Sequence, residues 1–254
     1  MTVVVAIDGR IATCTIDRPE RLNAIDLETY DGIVAFAAQL EADDDLWAGI
    51  VTGAGDRAFS AGADLKKLLA QMAERVPGAA PPFVTAFAAA GLEKPLIAAV
   101  NGLAYGGGCE LALSCDLRVL ATGARLALPE PKRGLIPGWG GTQLLPRLVP
   151  PAVALELLLT GRDVGAEEAL ALGLANRVAV DAVAGARELA AEICANAPTA
   201  VRHIRSAVLR GAELPLSAGL AVEAEMMAAQ RATADSAEGV AAFIDKRAPA
   251  WPGR

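Results

Sequence analysis

The stretch Tyr105-Gly106-Gly107-Gly108-Cys109-Glu110-Leu111-Ala112-Leu113 sets three glycines directly before a carboxylate that opens an apolar helical segment. Glycine lets the main chain approach a ligand closely and adopt angles closed to other residues. A helix N-terminus adds unpaired N–H groups and a partial positive charge. Such a corner can bind a developing oxyanion while Glu110 handles a proton beside it. A plain strand-to-helix turn, with Glu110 favouring the helix dipole, also accounts for this run when it is taken alone.

Two further runs change that balance. Phe59-Ser60-Ala61-Gly62-Ala63-Asp64-Leu65 is a second small-residue turn, leading into helical apolar spacing at Leu65, Leu68, Leu69 and Met72. Leu128-Pro129-Glu130-Pro131-Lys132-Arg133-Gly134, continuing through Pro137-Gly138-Trp139-Gly140-Gly141, carries a second glutamate in a loop. In this order and at these separations, the three runs resemble the crotonase superfamily, also called the enoyl-CoA hydratase/isomerase family. The resemblance extends from about Asp17 to Arg247. It implies an α/β fold with a crotonase ββα spiral core holding the active site in residues 1–195. Residues 196–254 would then form a C-terminal helical region that assembles a homotrimer or homohexamer.

The resemblance also implies an activity. Adding water across a double bond conjugated to a thioester builds negative charge on the thioester oxygen and moves a proton at each of two carbons. The family motif puts the oxyanion donors at the backbone N–H groups of Ala63 and Gly107, since preorganised donors stabilise such charge. It puts the catalytic pair at Glu110, mainly activating water, and Glu130, protonating the α-carbon. Two carboxyls sharing one water titrate as a unit, and an apolar pocket raises at least one of them. Having both glutamates favours a hydratase or dehydratase over an isomerase that only shifts a double bond. An enoyl-CoA isomerase, a specialised carnitinyl-CoA-like dehydratase and a catalytically silent scaffold are the alternatives. Substrate and CoA contacts carry over to Arg21, Leu22, Ala61, Asp64, Leu65, Lys66 and Trp139, and to Lys246 reaching a neighbouring subunit. Trp139 stands where many short-chain hydratases have a small residue, so its ring either narrows the acyl pocket or stacks at its edge. No cofactor is expected beyond the coenzyme A of the acyl-CoA substrate.

Composition sets the outer bounds. The 254 residues are 54% hydrophobic but only 4% aromatic, and alanine is abundant, which suits close-packed helices. The net charge of −7 argues against nucleic-acid binding. It also means that a polyanionic CoA must be met by local cations, for which Arg21, Lys66, Lys67, Lys246 and Arg247 are candidates. Cys14, Cys109, Cys115 and Cys194 form no CxxC pair and read as reduced residues of a cytoplasmic protein. The start lacks the pattern of a signal peptide, and no run approaches the ~20 apolar residues that span a membrane.

Asp8-Gly9 between Val3–Ile7 and Ile11–Ile16 predicts a hairpin. Ala48–Thr52 and Pro95–Val100 read as buried strands feeding helices, Leu117–Leu120 and Arg125–Leu128 as another strand pair, and Arg177–Val180 as a last strand. Helices are predicted at Leu27–Leu40, Ala182–Asn196, Thr199–Arg210, Leu216–Arg231 and Ala237–Arg247. Val76-Pro77-Gly78-Ala79-Ala80-Pro81-Pro82 reads as a surface loop. A Rossmann dehydrogenase lacks its GxGxxG and a serine hydrolase its GxSxG. No metal-ligand cluster is present. His203, the single histidine, reads as packing or surface.

Overall fold

The computed structural model describes residues 2–64 and 81–254. The apolar pattern from Leu65 to Met72, and residues 76–80 of the expected loop, lie outside the described residues. The hairpin forms as expected: β1 (Val3–Asp8) pairs antiparallel with β2 (Ile11–Ile16), and Gly9 takes φ 57° at the turn. Next come α1 (Leu27–Ala42), β3 (Ala48–Gly53) and β4 (Ala58–Ser60). After the undescribed stretch follow α2 (Phe83–Ala89), β5 (Leu96–Val100), β6 (Leu103–Tyr105) and α3 (Gly107–Ser114). Strands β7 (Leu117–Ala121) and β8 (Arg125–Ala127) lead to α4 (Gly141–Leu148) and α5 (Pro151–Thr160). The remainder is β9 (Val164–Gly165), α6 (Ala166–Ala171), β10 (Arg177–Ala179), α7 (Ala182–Cys194), α8 (Pro198–Gly211), α9 (Leu216–Arg231) and α10 (Ala234–Asp245).

Two sheets organise these elements. The larger has the order β1-β2-β3-β5-β7-β10 and is parallel from β2 onward. Strands β3 and β5 are buried along their whole length, as apolar strands covered on both faces must be. One face packs on the main core, which includes Cys14, Ile16, Val51, Ala98, Val100 and Leu120. The other receives α7 through Ala182, Ala186 and Ala190, set against Ile50, Ile97, Ala99 and Val119. The abundance of alanine has a use here, because small side chains let this helix lie close to the strands. At Gly185 even a methyl group would come within 2.9 Å of Ala179.

The smaller sheet has the order β4-β6-β8-β9, with β4, β6 and β8 mutually parallel. Each of these three strands directly follows a strand of the larger sheet, β3, β5 or β7. This is the ββα spiral, and it corrects two expectations. Ala48–Thr52 and Pro95–Val100 feed short strands rather than helices. Leu117–Ala121 and Arg125–Ala127 do not pair with each other, because the chain leaves one sheet and enters the other at Thr122–Ala124. Asn101 joins two of the crossings: its Nδ2 donates to the Gly53 and Gly55 carbonyls at 2.8 and 2.7 Å.

The C-terminal region is helical, as expected, and α9 has the predicted bounds. The last helix begins three residues early, where the Thr233 hydroxyl accepts the Ser236 N–H as an N-cap. His203 of α8 contacts Gln230 of α9 through Nδ1 at 2.8 Å, which is a packing role.

Gly108 sets the distance between α3 and β4. A Cβ there would lie 2.3 Å from the Ser60 carbonyl oxygen and 2.7 Å from the Ser60 Cβ. Gly108→Ala is therefore expected to lower unfolding free energy by about 1–3 kcal/mol in denaturant titrations. Gly123, with nothing within 4 Å of its Cβ position, is the control, and Gly123→Ala should stay within about 0.5 kcal/mol of wild type.

Candidate active site

Adjacent parallel strands end at the same edge of a sheet, so the turns after β4, β6 and β8 are neighbours in space. Those turns carry the three runs that stand out in the sequence. β4 ends at Ala61-Gly62-Ala63, β6 at Gly106-Gly107, and β8 at Leu128-Pro129-Glu130. The first two touch: a Cβ on Gly62, whose φ is +93°, would lie 2.6 Å from the Tyr105 carbonyl oxygen and 3.0 Å from the Gly107 nitrogen.

Two N–H groups point into this corner. Ala63 forms a parallel bridge with Ile25, made by Ile25 N–H to the Gly62 carbonyl (2.8 Å) and Asp64 N–H to the Ile25 carbonyl (2.8 Å). In a trans peptide C=O and N–H point opposite ways. With the Gly62 carbonyl turned to Ile25, the Ala63 N–H faces away from it. Gly107 is the first residue of α3, where N–H groups have no partner within the helix. Among the described residues neither N–H donates a hydrogen bond. A Cβ on Gly107 would lie only 3.4 Å from the Ala63 nitrogen.

Glu110, one turn into α3, is 2% exposed. Its Oε1 accepts the backbone N–H groups of Trp139 (2.7 Å) and Gly141 (2.8 Å), the latter at the start of α4. Burial pushes its pKa up to about 7; the two N–H donors oppose that rise and the nearby Glu130 adds to it. Gly141 has to be small, since a Cβ there would lie 3.2 Å from this same oxygen. Glu130 does not sit in an irregular loop. It opens a short 3-10 helix, Glu130–Arg133, closed by Gly134 in the left-handed region. Its Oε1 lies 2.9 Å from the Cβ position of Gly106, whose φ is +52°. Its Oε2 is buried and has no hydrogen-bond partner among the described residues. Burial raises its pKa, against its own backbone N–H and the Arg133 charge.

The other expected residues divide. Ala61 and Leu22 are brought to the corner, with the Ala61 N–H donating to the Leu22 carbonyl at 2.9 Å. Arg21 is exposed just before Leu22. The Asp64 carboxylate is turned to the Arg18 guanidinium at 3.2 Å. Leu65, Lys66 and Lys67 lie outside the described residues. Lys246 caps the end of α10, and no hydrogen bond or ion pair joins it to the corner among the described residues. Arg247, also weighed as a CoA contact, is ion-paired with Glu238 at 2.6 Å. The Trp139 ring is 6% exposed and packs on Phe83 (5.4 Å, edge-on) and Tyr30 (5.8 Å). Two of its ring carbons lie 2.6 Å from the Cβ position of Gly107, so only glycine fits beneath the ring. The backbone donors of Trp139 and Gly141 to Glu110 escaped the sequence reading. Their one signal is the glycine pair Gly140-Gly141, with Gly140 at φ +110°.

A two-carboxyl, two-N–H corner of this kind can stabilise an enolate-like oxygen and move protons on either side of it. The family model for enoyl-CoA hydratase/isomerase matches residues 6–254. The chain is 39% identical to a short-chain-enoyl-CoA hydratase of Clostridium acetobutylicum, over 96% of this chain and 95% of that protein. It is 40% identical to a carnitinyl-CoA dehydratase of Salmonella typhi, over 97% of each. The crystal structure of an enoyl-CoA hydratase from Mycobacterium marinum superposes with a TM-score of 0.92 at 38% identity, covering 100% of this chain and 99% of that one. The chain belongs to the enoyl-CoA hydratase/isomerase family.

Proposed function

We propose that this chain catalyses reversible syn addition of water to a 2-enoyl-CoA thioester, giving a 3-hydroxyacyl-CoA. As a member of its family it is an enzyme of the hydro-lyase class. The observation that carries the assignment of roles is the meeting of a buried carboxyl, Glu110, and a half-buried one, Glu130, both with raised pKa, at a corner with two N–H groups that donate to nothing among the described residues.

The thioester carbonyl accepts hydrogen bonds from Ala63 and Gly107. Glu110, ionised, takes a proton from water as the hydroxyl oxygen bonds to C3. Charge passes to the thioester oxygen as the double bond shifts. Glu130, protonated, returns a proton to C2 as the carbonyl re-forms. The reverse sequence dehydrates a 3-hydroxyacyl-CoA, which suits relatives named for either direction. Both raised pKa values serve this scheme, because the pair must hold one proton between its members. Glu110 is the more deeply buried of the two and Glu130 the less, so the scheme requires the shared proton to pass to Glu130 before Glu110 takes a proton from water. Nothing in the scheme requires a cofactor beyond the substrate's CoA. The Trp139 ring over Gly107 closes one side of the acyl pocket, and Arg21, Leu22 and Ala61 line the approach of the CoA. Free thiols at Cys14, Cys109, Cys115 and Cys194 suit a cytoplasmic enzyme. No helix among the described residues is long and apolar enough to cross a membrane.

Assembly as a homotrimer or homohexamer completes this reading. Leu216, Leu220, Ala224 and Met227 form one face of α9, and all four are exposed in the single chain. Phe243 and Ile244 of α10 are also exposed, at 86% and 70%. Burying these faces between copies removes a large apolar surface from water. Light scattering coupled to size exclusion should report three or six chains, and a stable active monomer would refute the assembly.

The carboxyl roles are tested by Glu110→Gln and Glu130→Gln on crotonyl-CoA. Each should lower hydration turnover by at least about 10²-fold while butyryl-CoA binding persists; near-wild-type turnover in either would remove that residue's role. Stability should move the other way for Glu110. Its folded pKa of about 7 exceeds the ordinary 4.5. The folded state therefore holds the proton more tightly, and wild-type stability declines as pH rises from about 4.5 through about 7. Glu110→Gln removes that decline, a difference on the order of 3 kcal/mol by pH 8. Denaturant titrations at pH 5 and pH 8 measure it, and parallel wild-type and variant profiles would contradict it.

A further inference from the structure

Arg18 is a buried cation just upstream of Arg21 and Leu22 and far in sequence from Ala63, Gly107 and both glutamates. Its side chain is 7% exposed and lies between two carboxylates: Asp26 Oδ2 at 3.3 Å and Asp64 Oδ2 at 3.2 Å. The same guanidinium donates to the Ala24 carbonyl. These partners bracket the Ile25–Ala63 bridge, with Ala24 and Asp26 on either side of Ile25 and Asp64 next to Ala63.

The surrounding chain is shaped to make this grip possible. Leu22 and Asn23 both lie in the left-handed region, at φ 52° and 55°, a conformation that asparagine adopts readily and leucine rarely. Asn23 holds the turn by accepting the Arg18 N–H (3.0 Å) and donating to the Ala54 and Ala58 carbonyls (3.0 and 2.7 Å). Asp26 uses its second oxygen to cap α1, accepting the Thr29 N–H at 3.1 Å. Burying three charges is a poor way to gain stability, because desolvation offsets most of the attraction. A fork that bridges three acceptors does, however, fix geometry, which lysine cannot reproduce.

We infer that Arg18 is a positioning residue for the reaction. By locking Ala24-Ile25-Asp26 to Asp64, it fixes the Gly62–Ala63 peptide plane so that the Ala63 N–H faces the thioester oxygen. The inference rests on the oxyanion role of Ala63. The Gly62 carbonyl is held by Ile25, and the Ala63 N–H on the same rigid peptide points the opposite way. If the bridge loosens, this peptide rotates and the donor leaves the corner.

The test compares wild type, Arg18→Lys and Asp64→Asn, using butyryl-CoA as an unreactive ligand and crotonyl-CoA as substrate. Circular dichroism establishes folding, and Asp64→Asn carries the comparison where Arg18→Lys does not fold. In wild type the infrared carbonyl band of bound butyryl-CoA should shift to lower frequency. In the variants, butyryl-CoA affinity should stay within about threefold and the band should move back toward its free position. Hydration kcat should fall by about tenfold or more, part of the 10²–10³ that complete loss of an oxyanion donor costs. A merely structural role would lower stability without moving the band of the bound ligand. Folded variants with the wild-type band shift and kcat would overturn the inference while leaving the oxyanion reading intact. Absence of any shift in wild type would overturn both.

Discussion

The parallel pairing of three short strands, β4, β6 and β8, is the constraint on which the rest of this molecule depends. Each has only three residues, too few to stand alone, and each is held by following a buried strand of the larger sheet. Because the three are parallel and adjacent, their carboxyl ends meet at one edge. Ala63, Gly107 and Glu130, separated by dozens of residues, arrive there together. The larger sheet supplies rigidity and the smaller one supplies convergence.

The glycines follow from the same constraint. Where the turns crowd together, side chains have no room: Gly62 lies against the Tyr105 carbonyl, Gly106 against Glu130, Gly107 under the Trp139 ring, and Gly108 against Ser60. Only Gly62 and Gly106 among these four also need a positive φ. Gly107 and Gly108 are required by close packing alone. The triplet that looks in the sequence like one flexible element is therefore three separate steric solutions.

Much of this was legible in advance. The Asp8-Gly9 hairpin, the long helices and Glu110 after its glycine triplet carry local signals of periodicity or turn chemistry. The short strands carry none, since three residues show no alternation and their identity comes from pairing alone. For the same reason Leu117–Ala121 and Arg125–Ala127 look like partners when they belong to different sheets. The donors to Glu110 were hidden because a backbone N–H has no residue signature, and Trp139 gave only the bulk of its ring. Arg18 and Asp64 are 46 positions apart, and nothing local announces their ion pair.

The site also shows how a fold tolerates groups that work against it. Glu110 is almost wholly buried and in contact with apolar surroundings, a position that penalises its charge. Two N–H groups recover part of that penalty, and the remainder appears as a pKa near neutrality. A fully compensated carboxylate would stay ionised at any working pH and could not exchange a proton readily. An uncompensated one would stay protonated and could not activate water. The two donors, from Trp139 and from the first turn of α4, place Glu110 between these limits. The protonation of Glu110 therefore depends on the packing of α4 against α3 as much as on the glutamate itself.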